Sequence, residues 1–176
     1  MKITKPNPDE YDPYYETYIS KVKTDDPIKS LRESKKKLTQ FISKLGKKQL
    51  KYRYAEGKWN IKEILMHLVD AERIFAYRAL RFARNDKTKL PGFEEKEYAP
   101  ASKASKRKIK SILREYEAVR NATVELFENL DEEMMMRTGI ANEKPMSVRA
   151  LIYVMLGHEQ HHLGVIREKY LGGKQE

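Results

Sequence analysis

Helical periodicity in four separate stretches is the feature that most restricts the fold of this chain. In each stretch apolar residues recur every three or four positions, as on the buried face of an amphipathic helix. The first predicted helix covers residues 28–45, the second residues 60–85, the third residues 106–130 and the fourth residues 147–171. No alternating strand pattern competes with them. We therefore predict an all-α fold, a four-helix bundle.

Start and stop signals support these boundaries. Asp26 precedes Pro27 at the start of the first helix, and Asn60 can form a capping box with Glu63 at the start of the second. Ser147 is a suitable N-cap for the fourth helix, and Gly172-Gly173 can end it.

Two segments lie outside the predicted helices. Residues 1–25 form a Pro- and Tyr-rich arm, and the spacing of Tyr11, Tyr14, Tyr15 and Tyr18 predicts an arm or short extra helix that packs aromatic rings on the bundle. The connection over residues 86–105 is longer than a bundle turn requires. We predict a single domain, residues 1–176, with this connection as a lid or crossover.

Composition narrows the class of protein. The longest apolar run, LIYVML at residues 151–156, is far shorter than the about 20 residues that span a bilayer, and residues 1–15 lack an apolar leader core, so we expect a cytoplasmic protein without membrane contact. With no cysteine, any metal must be bound through nitrogen and oxygen. The net charge of +10 comes from dispersed Lys and Arg clusters, which indicate solvated helix faces, so nucleic-acid binding is not expected.

The four histidines are the best candidates for a functional site. Three lie in LGHEQHHLG, residues 156–164, where His158 and His162 continue the apolar seam of the fourth helix. His67 lies on the corresponding stripe of the second helix. Residues four apart on one helix can bind one ion, and a facing helix can supply a third ligand.

The histidines have two other interpretations, a core-filling role and a zinc-protease motif. Buried histidines often only fill a core, but three imidazoles without acceptors would each cost about 1–3 kcal/mol, which a divalent metal removes. The stretch from His158 to His162 also matches the H-E-x-x-H pattern of zinc proteases. The extended protease pattern requires a glycine and a histidine where this chain has Val165 and Glu168, which disfavours a protease.

The stretches YAEGKWNIKEILMHLVDAERIFAYRALRFARNDKTKLPGFEEKEY and SVRALIYVMLGHEQHHLGVIREKYL resemble the DinB-like superfamily, especially its YfiT-type branch. The resemblance covers most of the chain. It implies a four-helix bundle whose divalent metal is bound by His67, His158 and His162. His161 matches the penultimate histidine of the motif, which is not counted among the ligands, so we expect it beside the site or on the surface.

Three neutral imidazoles leave a coordination position open, as in catalytic metal sites. Zinc or nickel is the expected metal, with iron or manganese as alternatives. Relatives are described as metal-dependent hydrolases or as transferases that use bacillithiol, mycothiol or glutathione. The resemblance therefore implies an enzyme acting on a small-molecule substrate, either a hydrolase or a transferase with a low-molecular-weight thiol. A non-enzymatic, stress-related metal-binding or nucleic-acid-binding protein is the alternative, and a homodimer is compatible with either.

Further residues were assigned candidate roles. Glu159 and Asp70 are the catalytic candidates, as bases for a bound nucleophile or as partners of an imidazole N–H. Candidate contacts for an anionic thiol are the second-helix arginines, Arg73, Arg78, Arg81 and Arg84. The connection over residues 86–105 is expected to cover the metal-bearing end of the bundle and to shape the substrate pocket.

Overall fold

A bundle of four long helices forms the body of the protein, as predicted. The computed structural model describes residues 3–172. Its helices are α1 (Glu16–Ile19), α2 (Pro27–Ser43), α3 (Lys47–Lys51), α4 (Ile61–Ala83), α5 (Glu95–Ala101), α6 (Ile109–Glu128), α7 (Glu132–Met136) and α8 (Val148–Val165), and its strands are β1 (Thr138–Ala141) and β2 (Lys144–Ser147). Both α2 and α4 pack against α6 and α8, so α2 and α4 occupy opposite corners of the bundle.

The caps predicted for the first, second and fourth helices are confirmed, whereas the third helix, predicted from residue 106, begins at Ile109 of α6. Asp26 caps α2, and at α4 the side chain of Asn60 accepts a hydrogen bond from the Glu63 N–H at 3.1 Å while the Glu63 carboxylate accepts one from the Asn60 N–H at 2.9 Å. The Ser147 hydroxyl accepts a hydrogen bond from the Ala150 N–H at 3.0 Å. Each such cap contributes about 1 kcal/mol. Short-range signals in the sequence thus determine where the bundle helices begin.

The buried surface of α8 is wider than its predicted seam. Every residue from Val148 to Glu159 is buried, because α1 of the arm covers the side of α8 that the bundle leaves open. The arm comes closest at Gly157, where a Cβ atom would lie 2.0 Å from the carbonyl oxygen of Tyr18. Only glycine permits this contact.

The end of the fourth helix also differs from the prediction. The α-helical hydrogen bonding ends at Val165, and one π-helical turn, Ile166–Tyr170, follows. Gly172 has a φ of +72°, as a helix-ending glycine does. Gly173 lies outside the described residues.

The prediction that no strand is present was wrong. Strands β1 and β2 form an antiparallel hairpin whose turn residues, Asn142 and Glu143, both have positive φ angles of 50° and 62°. The strands are short, the second contains Pro145, and the turn lacks the Asn-Gly pair that usually identifies such a hairpin. Its sequence therefore carries little strand signal.

The hairpin joins the two segments outside the bundle. A single bridge connects Tyr11 of the arm to Met146, and another connects Leu90, at the start of the long connection, to Ala141. The connection then forms α5 and a 3₁₀ turn, Ala104–Lys106, neither of which was predicted. Within residues 3–172, no helix is both long and apolar enough to cross a membrane.

Candidate metal centre

Three histidine side chains converge at one point between α4 and α8. His67 extends from α4, and His158 and His162 extend from successive turns of α8. The Nε2 atom of His158 lies 2.9 Å from Nε2 of His67 and 3.0 Å from Nε2 of His162. A potential ligand atom of each histidine lies within 4.8 Å of those of the other two.

This arrangement fits a divalent metal ion. Zinc–nitrogen bonds of about 2.0–2.1 Å, at angles of about 90–109°, separate two ligand nitrogens by about 2.8–3.4 Å. The observed Nε2 separations of 2.9 and 3.0 Å lie at the lower end of that range. A cation at this point would accept a lone pair from each of the three imidazoles in the tautomer that carries its hydrogen on Nδ1.

Burial keeps these imidazoles in the neutral form that binds metals. Desolvation lowers the pKa of His67 to about 4 and that of His162 to about 3. Burial also holds the pKa of His158 well below its usual value, and the neighbouring His162 adds to that effect. At neutral pH all three side chains are therefore unprotonated and competent as ligands.

We expect the metal-free protein to lose unfolding free energy as the pH falls from about 6.5 towards 4. Histidine in an unfolded chain has a pKa of about 6.5, whereas that of His67 in the folded protein is about 4. Between these values the unfolded chain binds more protons, so acid favours unfolding, and the full stability is present only above the unfolded pKa. Thermal melts of chelator-treated protein measure this loss. The loss should be smaller in the His67→Gln variant, and an identical pH dependence in both proteins would contradict the explanation.

Two pockets open onto the histidines. The smaller, about 170 Å³, is here called the aromatic chamber. Its walls are Tyr14, Tyr15, Tyr18, Trp59, Phe75 and Phe93, and the three histidines form its floor. The Trp59 ring centroid lies 5.0 Å from that of His67, and the Tyr18 ring centroid lies 5.2 Å from that of His158.

The larger pocket, about 690 Å³, is here called the basic pocket because its lining includes Arg53, Lys58 and Lys96. Trp59 and His162 line both pockets, so the two meet at the histidine cluster. Arg53 pairs with Glu63 at 2.8 Å, which leaves the two lysines as the further cationic groups of the lining. Two spaces of different chemical character thus adjoin the cluster: the aromatic chamber contacts all three imidazoles, and the basic pocket reaches His162.

The two carboxylates proposed from sequence lie elsewhere. Glu159 is buried, and its Oε2 accepts hydrogen bonds from the Tyr116 hydroxyl and from Arg120, both at 2.6 Å. Asp70 is partly exposed, lies 3.6 Å from Arg73 and lines neither pocket. This placement favours a structural role for Glu159 and a surface role for Asp70.

Glu95, which sequence reasoning missed, is the carboxylate that faces the site. It is the first residue of α5 and lines both pockets. Its negative charge raises the pKa of His67, against the larger lowering effect of burial. The sequence indicated only that the long connection could cover the site. Because this segment has no helical periodicity, the sequence does not show which of its acidic residues faces the histidines.

The remaining sequence candidates lie around the site. His161 is partly exposed and lines the basic pocket, and its ring centroid lies 5.5 Å from that of Tyr18. None of the four second-helix arginines lines either pocket. Arg73 pairs with Glu115, and Arg78 donates a hydrogen bond to the Pro91 carbonyl. Arg81 pairs with Asp86, and Arg84 contacts the Met134 sulfur. This placement does not support the predicted contacts between these arginines and an anionic thiol.

Two proteins that share one name are similar in sequence to this chain. A protein from Oceanobacillus iheyensis named "Putative metal-dependent hydrolase" is 22% identical over 142 residues, which cover 80% of this chain and 81% of the relative. A protein of the same name from Geobacillus thermodenitrificans is 27% identical over 143 residues, 79% of each chain.

The fold also matches a solved structure. Bacillus subtilis YfiT, whose structure is titled "a probable metal-dependent hydrolase with an unusual four-helix bundle topology", superimposes with a TM-score of 0.73 and 18% identity over 94% of this chain and 92% of that chain. At this identity the likeness concerns the fold. The sequence model of the DinB superfamily matches residues 30–166, a span that includes His67, His158 and His162. The chain therefore belongs to the DinB superfamily.

Proposed function

We propose that His67, His158 and His162 bind a divalent metal ion and that the protein is a metal-dependent enzyme acting on small molecules. The observation that carries the proposal is the convergence of three imidazoles, two buried and one partly buried, in the lining of the aromatic chamber, with His162 also reached from the basic pocket. A closed structural site has four protein ligands, whereas three leave a position for a reactant. The names of the two relatives, metal-dependent hydrolases, agree with this assignment.

The chemistry follows from the ligand set. A divalent ion bound by three neutral imidazoles keeps its full charge and lowers the pKa of a coordinated water or thiol. Imidazole ligands suit zinc, nickel and iron, and we propose zinc or nickel as the metal, with iron or manganese as alternatives. Glu95, at the junction of the two pockets, accepts the proton that the nucleophile releases. Trp59 and Tyr18 shield the histidine cluster from solvent.

Thiol transfer is the reaction that the pockets favour over hydrolysis. Hydrolysis requires space for one organic molecule, whereas transfer of a thiol to an electrophile requires space for two. The basic pocket and the aromatic chamber supply two such spaces on one metal site. Lys58 and Lys96 suit an anionic low-molecular-weight thiol of the bacillithiol type. Hydrolysis is the second candidate, and it rests on the names of the relatives.

The experiment is a turnover assay on protein loaded with zinc or nickel. A panel of alkyl halides and activated esters is incubated with and without an anionic thiol, and the products are identified by mass spectrometry. Thiol adducts should form faster with the metal-loaded protein than with metal-free protein or without protein. Ester cleavage that needs no thiol would favour hydrolysis. Metal binding without turnover of any compound, together with salt-sensitive DNA binding, would favour the non-enzymatic alternative.

The Glu95→Gln variant should lower turnover by about 10²–10⁴-fold, the usual contribution of a general base. Its metal content should be unchanged, because Glu95 is not one of the three convergent ligands. Metal analysis and kcat on the same preparations measure both quantities.

Glu97→Gln is the matched control, since Glu97 is an exposed carboxylate on the same short helix. It should retain wild-type turnover. Full activity of the Glu95→Gln variant would exclude Glu95 as the proton acceptor.

A further inference from the structure

Aromatic rings make up most of the lining of the aromatic chamber. Six aromatic rings surround it, three of them from the arm: Tyr14, Tyr15 and Tyr18. Tyr14 contacts the other two edge-on, with ring centroids 5.3 and 5.8 Å apart, and Tyr15 contacts Phe75 in the same way at 6.5 Å. The walls therefore support one another as a packed unit.

The polar atoms of the walls are largely occupied by one another. The hydroxyl groups of Tyr14 and Tyr18 lie 3.2 Å apart and share a hydrogen bond. The hydroxyl of Tyr15 interacts with Arg78, a buried residue outside the chamber. The chamber thus offers ring faces and edges to a ligand, and its charged group, Glu95, lies at the junction with the basic pocket.

The volume of the chamber limits what can enter. At about 170 Å³ it slightly exceeds the engineered apolar cavity of about 150 Å³ that binds benzene. One six-membered ring with a small substituent matches this volume, whereas two fused rings would have to displace a wall residue or extend out of the chamber. Aromatic walls also attract cations, but a divalent ion at the floor repels a second cation.

We propose that the aromatic chamber holds the organic group of the electrophile and selects a neutral, apolar group the size of a single six-membered ring. The substituent that reacts is then directed at the histidine cluster, while the nucleophile approaches from the basic pocket. The inference rests on the proposed function in one respect, because the floor of the chamber must hold the metal. The preference for a single ring depends on Tyr14, Tyr15 and Tyr18 of the arm and on Phe93 of the connection.

The test uses three hydroxamic acids that bind metals through the same group and differ only in the group attached to it. Acetohydroxamic, benzohydroxamic and 2-naphthohydroxamic acids are titrated calorimetrically into zinc-loaded protein. Benzohydroxamate should bind at least about tenfold more tightly than acetohydroxamate, since burial of one ring is favourable by more than that factor. Naphthohydroxamate should gain nothing over acetohydroxamate. Equal binding of the benzo and naphtho compounds would overturn the size limit.

Two variants extend the test to the walls. Phe93→Ala and Tyr14→Ala each remove one ring from a half-buried or exposed position and should increase naphthohydroxamate affinity at least about tenfold. Tyr77→Ala is the matched control, because Tyr77 is a half-exposed tyrosine of α4 outside the chamber. An unchanged order of affinities in both wall variants would overturn the proposal.

Metal content, measured on every sample, separates the two proposals. Protein that binds neither zinc nor any hydroxamate would refute the metal centre and, with it, the chamber's role. Protein that binds zinc and all three hydroxamates with equal affinity would refute the chamber alone.

Discussion

The His158→Ala variant should bind a divalent metal at least about 100-fold more weakly than the wild type. Nε2 of His158 is the atom that lies within 3.0 Å of both other imidazole nitrogens, so its loss removes the centre of the cluster. Even residues that only support metal ligands contribute about 10–100-fold in affinity, and a direct ligand contributes more. Nickel titration can be followed by fluorescence, because the single tryptophan, Trp59, lies with its ring 5.0 Å from that of His67.

The other histidines complete this experiment. His67→Ala and His162→Ala should weaken metal binding to a similar degree, since each removes one of the three convergent nitrogens. His161→Ala is the internal control, because His161 lies outside that group. Elemental analysis of protein purified without an affinity tag gives the metal content directly. Equal metal retention in all four variants would refute the ligand assignment.

The Arg120→Met variant should lose about 3–5 kcal/mol of unfolding free energy, the usual effect of removing one partner from a buried ion pair. Arg120 is 1% exposed and donates hydrogen bonds to both carboxylate oxygens of Glu72 at 2.8 Å and to Glu159 at 2.6 Å. It also donates to the Ser34 hydroxyl at 2.6 Å, which connects α6 to α2. Methionine fills much of the space but leaves two carboxylates buried without their cation.

Urea denaturation of the metal-free proteins measures the difference. Arg114→Met is the matched control, since Arg114 is an exposed arginine on the same helix. Its unfolding free energy should stay within about 0.5 kcal/mol of the wild type. Equal stability of the Arg120→Met and Arg114→Met variants would show that the buried ion pairs contribute no net stability.

Features that depend on neighbouring residues could be predicted from the sequence. The caps at Asp26, Asn60 and Ser147 are short-range patterns, and the structure confirms each of them. The inward direction of His158 and His162 also follows from helical spacing, because side chains four apart lie on one face. The structure brings His67 to the same point from the facing helix.

Features that depend on distant pairing could not be predicted. Helical periodicity shows that Glu72, Arg120 and Glu159 lie on helices, but it does not show that they meet, since 39 to 48 positions separate Arg120 from its partners. Glu95 lies in a segment without periodicity, and its position depends on how Leu90 pairs with the hairpin. The partners of the second-helix arginines could not be predicted for the same reason, because spacing gives the face of a helix on which a residue lies but not the residues that it contacts.

The close contact between the arm and Gly157 means that a single substitution at this position can change the access to the site. A methyl group there would collide with the backbone of Tyr18 and push the arm away from α8. The three imidazoles would keep their places, because they extend from bundle helices that the arm only covers. One substitution at this position could therefore open the site to larger molecules while leaving the three histidines in place, so that the molecules the site admits can change without a change in the histidine cluster.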